Sequence, residues 1–142
     1  MSREDADTIR RAFDVWNESG SAAVTERFWA EDAVYREGPG WPKGAGVFRG
    51  RAAALARMQA LVEGPIEVRL DELIEVGDGR LVACASMVGE SVAIDRAYTQ
   101  SFAVVQRLGD GLVVEADCRA AACCAGRARR RPVLERVHRR LD

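Results

Sequence analysis

The repeat of apolar residues changes at Gly64-Pro65, and that change limits the chain to few folds. Before it, Ile9, Ala12, Phe13 and Trp16 recur at i, i+3, i+4 and i+7, the spacing of one helix face. Leu55, Met58, Leu61 and Val62 give a later helical stripe that the Gly-Pro pair ends. After it, Ile66, Val68 and Leu70 alternate with Glu67, Arg69 and Asp71, the two-residue period of a half-buried strand. Gly-Asp-Gly at 77–79 and at 109–111 predicts two tight hairpins, separating β-rich runs at 66–76, 80–89, 96–108 and 112–118. Helices followed by antiparallel strands predict an α+β domain: three N-terminal helices packed on one face of a curved antiparallel sheet.

Between the first and third helical stripes, Ser19-Gly20 ends the first helix and Ser21 is expected to cap a second, running to about residue 29. A strand over 33–37 leads into REGPGWPKGAGVFRGR, too rich in glycine and proline for a regular helix or a central strand. Trp41 and Phe48 are costly to leave in water, so this loop is expected to fold over the core or over a ligand.

Charge divides the chain unevenly. The net charge is −1, yet 119–142 holds eight arginines against Glu135 and Asp142, so the body is acidic and the end basic. We therefore expect a domain over 1–118 and an arginine-rich tail over 119–142, in which Val133, Leu134, Val137 and Leu141 suit a short helix after Pro132. The tail reads either as a diverged ending or as a basic arm for an acidic partner. Nucleic acid is not the expected partner. No apolar run reaches the roughly 20 residues needed to span a bilayer, so no membrane partner is expected. The start, MSREDADTIRR, has no apolar signal core, which predicts a cytoplasmic protein. Cys84, Cys118, Cys123 and Cys124 are then expected as reduced thiols. With His138 they match no standard zinc spacing, so no metal is expected.

FDVWNESGSAAVTERFWAEDAVYRE, GWPKGAGVFRGR and RLGDGLVV together resemble the SnoaL-like branch of the NTF2-like superfamily, which also contains ketosteroid isomerase. The resemblance implies a cone-shaped half-barrel with an apolar pocket between sheet and helices, and a homodimer formed through the outer sheet face, where Val82, Ala103 and Val105 would lie. It implies a small apolar or aromatic ligand and no cofactor. As to activity, it leaves two readings open: an acid–base enzyme, or a non-catalytic ligand-binding or dimerisation module.

Glu37 falls where the isomerase branch keeps its general base, so Glu37 is the candidate catalytic residue. Alternation puts Tyr35 on the same strand face as Glu37. A surface pairing of Glu37 with Arg36 or Arg49 is the competing reading. The isomerase oxyanion donors are missing: Phe13 stands at the tyrosine position, and Val104 near that of the acid. Phe13, Trp16, Tyr35, Trp41, Met58, Tyr98 and Gln100 are the expected substrate-binding residues, because Tyr98, Gln100, Phe102 and Val104 share the strand face that the resemblance points inward. Arg69 and Asp71 read as a surface pair.

Overall fold

The structure, a computed structural model, describes residues 3–38, 46–61, 66–91 and 96–120. Trp41 and the tail beyond residue 120 lie outside the described residues, as do the side chains of 90–98, Tyr98 among them.

The acidic first turn of helix α1 (Arg3–Ser19) complements its dipole, and its stripe buries Ile9 and Val15. Phe13 and Trp16 are partly buried against the same cluster. Gly20 then turns the chain at φ 89°, a conformation that favours glycine. Helix α2 (Ser21–Phe28) follows with Gly20 as its N-cap, and no side chain caps it. The expected cap, Ser21, lies one residue inside the helix; its carbonyl accepts from the Thr25 hydroxyl at 3.1 Å.

Strand β1 (Trp29–Glu37) starts four residues earlier than its sequence pattern indicates. Its pairing is interrupted between Trp29 and Val34, and exposed Glu31 and Asp32 hide the alternation there. Strand β2 (Gly46–Arg49) was not foreseen, because glycine and proline mask an edge strand. Helix α3 (Arg51–Leu61) follows, and then the strands β3 (Ile66–Glu75), β4 (Arg80–Ser91), β5 (Arg96–Gly109) and β6 (Leu112–Ala120). Both Gly-Asp-Gly sites are tight turns: Asp78 and Gly79, like Asp110 and Gly111, have positive φ at both central positions.

The sheet order is β2-β1-β6-β5-β4-β3. Every neighbouring pair is antiparallel except β1 and β6, which run parallel. Joining the first strand to the last this way brings the ends of both strands to one place, with Glu37 beside Cys118. Phe28, Ala54 and Met58 from the helices meet Tyr35, Ala83, Ala85, Phe102, Val104 and Ala116 from one sheet face in a single buried cluster. Val82, Ala103 and Val105 fall on the opposite face, yet in the single chain they are only 0%, 0% and 4% exposed.

One polar clasp fixes α1 to the sheet edge. The Asn17 amide donates to the Val68 carbonyl and accepts from the Val68 N–H, both at 2.8 Å, so it pairs with β3 much as another strand would. Replacing Asn17 with alanine removes both bonds and is expected to lower stability by about 1–3 kcal/mol. Urea unfolding reads the loss, and Asn17→Asp, which still accepts from the Val68 N–H, should recover part of it. A midpoint unchanged in Asn17→Ala would show that the clasp contributes nothing.

Candidate functional site

The last turn of alternation on β1 decides where the chemistry sits. Ala33, Tyr35 and Glu37 face the helices and are buried, while Arg36 is half-buried on the other face. Glu37 is a charged residue with a side chain 0% exposed. Such a group needs partners. It has two: the Tyr35 hydroxyl donates to Oε2 at 2.9 Å, and Arg57 Nε donates to Oε1 at 2.7 Å. The ion partner is therefore neither Arg36 nor Arg49, the two that neighbour Glu37 in the sequence reading.

Arg57 comes from α3, whose Ala54 and Met58 are buried against the core. Its guanidinium carbon lies 5.4 Å from the centre of the Phe48 ring, so β2 supplies the surface on which the cation rests. Phe48 in turn lies 6.0 Å from the Tyr35 ring, and Tyr35 lies 5.9 Å from Trp29. The unforeseen strand β2 thus holds the aromatic wall and, through it, the arginine. Nothing in the sequence distinguishes Arg57 from the other arginines; the one available signal is its place on α3 beside the buried stripe.

Cys118 lies across the strand pair from Glu37. Burial pushes its thiol up to about 12, with the Glu37 and Asp117 charges adding to the rise and the Tyr35 hydroxyl opposing it. Burial also pushes the Tyr35 hydroxyl up, and Cys118 and Glu37 reinforce that shift. Both groups therefore keep their protons at neutral pH, and Tyr35 serves as a hydrogen-bond donor. Among the described residues the cysteines Cys84 and Cys118 are both buried. At pH 8 neither should react with iodoacetamide until the protein is unfolded, which mass spectrometry of the labelled peptides reads directly. Rapid labelling of native Cys118 would contradict this placement.

The other sequence candidates divide. Met58 is buried and Phe13 and Trp16 partly so, all in the cluster that contains Tyr35. Gln100 is half-buried, and its Nε2 donates to the Ser101 carbonyl at 2.8 Å. For Tyr98 the backbone pairs with Gly89, and its side chain lies outside the described residues. Arg69 and Asp71 do not pair: Arg69 binds Glu67 at 3.1 Å, and Asp71 accepts from Ser86 at 2.9 Å. Among the described residues no cluster of three or more potential metal ligands occurs. An open groove of about 650 Å³ at the start of α1 is lined by Asp7, Arg10, Arg11 and Gly111 among others. Gly111 precedes β6, so this groove sits about 20 Å along the strand from Cys118 and apart from Glu37.

Comparisons with known proteins agree on the architecture. The model of a family described as a SnoaL-like domain matches residues 9–116. An NTF2-like protein of unknown function from Burkholderia pseudomallei shares 21% identity over 84% of this chain and 92% of its own, with a TM-score of 0.70. A Jannaschia protein provisionally called a SnoaL-like polyketide cyclase shares 19% over 83% and 88%, with a TM-score of 0.67. A Bacillus subtilis protein provisionally called an isomerase shares 19% over 84% and 88%, with a TM-score of 0.68. At these identities the likeness speaks for the fold. Among curated proteins none matches the chain significantly.

Proposed function

The chain belongs to the SnoaL-like domain family, and from that premise we propose that it binds a small apolar or aromatic molecule between sheet and helices and moves a proton on it with Glu37, without a cofactor. The observation that carries this reading is the buried Glu37 held between Tyr35 and Arg57. A carboxylate offers about four lone-pair sites, and these two bonds leave others to accept a proton. In the proposed step Glu37 takes a proton from a carbon next to a carbonyl, the carbon–hydrogen electron pair moves into an enolate, and the proton later returns. Arg57 is the cation within reach of the negative charge that develops. It stands in for the hydroxyl absent at Phe13 and the acid absent at Val104.

One observation favours the second reading, a binding module without turnover: the Glu37 side chain is 0% exposed, so a substrate reaches it only if neighbouring groups yield. Titrating the protein with 2-tetralone, a small aromatic ketone with acidic carbon-bound protons, tests the part common to both readings. Shifts at the Met58 methyl and the Trp29 indole N–H are expected. Their absence at saturating ketone would count against any ligand in this space. The family resemblance also underlies the proposal of a homodimer. Because Val82, Ala103 and Val105 are already buried in the single chain, these side chains give it no free apolar surface. Light scattering at micromolar concentration should show twice the 15.5 kDa of one chain, and a single-chain mass would sink the dimer.

A further inference from the structure

Gln106 is a polar residue that the chemistry around Glu37 does not use. It is 9% exposed, and its Oε1 is buried without a hydrogen-bond partner. The other buried polar atoms in that condition among the described residues belong to Arg80 and Arg119, whose guanidinium groups bind Asp78 and Asp117 through another nitrogen. Gln106 has no such second attachment among the described residues.

Its position in the sheet explains why nothing beside it answers. Gln106 pairs with Ala116 on one side and Leu81 on the other, and Val104 and Leu108 flank it on its own face of β5. Ala116 in turn pairs with Tyr35. Tyr35, Ala116 and Gln106 therefore form one row across the helix-facing side, with only a methyl group between the tyrosine and the amide. Two strand spacings put the Tyr35 and Gln106 Cα atoms about 10 Å apart. An unpaired acceptor among alanine, valine and leucine costs free energy that an apolar residue of the same shape would not.

We propose that Gln106 is a specificity-determining residue of the Glu37 site, its Oε1 accepting a hydrogen bond from a hydroxyl group of the ligand. This rests on the ligand site proposed above and names its substrate class: a flat apolar body about two rings long, with a hydroxyl at one end and the carbonyl-activated carbon at the other. Ala116 is the small residue of the row, so such a body would lie along it once the neighbouring groups yield.

The matched probes are 6-hydroxy-2-tetralone and 6-methoxy-2-tetralone, which differ in the donor alone apart from one methyl group. The parent should bind the hydroxy compound about tenfold more tightly by calorimetry. Gln106→Met keeps the side-chain length and removes the acceptor. It should bring the two affinities together, leave the methoxy compound bound as before, and leave the melting temperature unchanged or higher. A preference that persists in Gln106→Met overturns the proposal. So does a lower melting temperature, which would show the amide bonded within the protein, and so does a parent that binds the two probes equally or not at all. Glu37→Gln should keep the preference for the hydroxyl. A failure of the proton-transfer reading would thus appear in exchange rates and leave this affinity ratio in place.

Discussion

Replacing Arg57 with alanine is expected to destabilise the protein by about 3–5 kcal/mol, more than truncating an exposed arginine would. The reason is the charge left behind. The Glu37 side chain is 0% exposed, and the Arg57 side chain, 17% exposed, is its ionic partner at 2.7 Å. Without the guanidinium, Glu37 stays buried with the Tyr35 hydroxyl, at 2.9 Å, as its remaining donor among the described residues, and the cost of taking a carboxylate out of water is no longer offset. Phe48 also loses the cation resting on its ring. Arg57→Ala combined with Glu37→Gln should recover much of the loss, because the stranded charge is then gone. Chemical unfolding of the four proteins reads this cycle. A loss of under about 1 kcal/mol in Arg57→Ala, the scale of a surface pair, would mean that the ion pair is not buried in solution.

The sequence makes the carboxylate visible and hides the arginine, for reasons that lie in the two kinds of regularity. Alternation on β1 places Glu37 and Tyr35 on one face whatever the rest of the chain does, and their hydrogen bond follows from that local rule. Arg57 reaches Glu37 from 20 residues away, through a helix whose angle on the sheet is set by packing, and no local pattern records it. The same contrast runs through the fold. Asp-Gly dictates both hairpin turns, so the extents of β3 to β6 are legible to within two residues, while the register shifts at Leu70/Glu72 and Arg107/Leu108 are not. The parallel contact of β1 with β6 joins distant parts of the chain and leaves no trace in the local pattern. Strand β2 is four residues long at an edge, its glycine and arginine indistinguishable from loop residues until Phe48 is seen beneath Arg57. Gln106 belongs to this second class. On the sequence it is one polar residue in a strand, and only the row Tyr35, Ala116 and Gln106 gives it a role.

Glu37→Gln is expected to lower the rate of proton exchange on a bound ketone by about 10²–10⁴-fold, the contribution of a positioned general base. Size and shape are kept, and the amide oxygen can still accept from Arg57 or Tyr35, so the fold and the binding of 2-tetralone should survive. The charge is what disappears, and with it the ability to take a proton from carbon. Tyr35 and Cys118 do not substitute for it, since burial keeps both protonated at neutral pH. The most direct measurement is therefore deuterium uptake from D₂O into the α-carbon of 2-tetralone, followed by proton NMR, with parent, Glu37→Gln and buffer side by side. Uptake is expected well above buffer with the parent and near the buffer rate with Glu37→Gln. Equal rates for the two proteins, or a parent no faster than buffer while it binds the ketone, would contradict proton transfer by Glu37 and leave a binding module in its place.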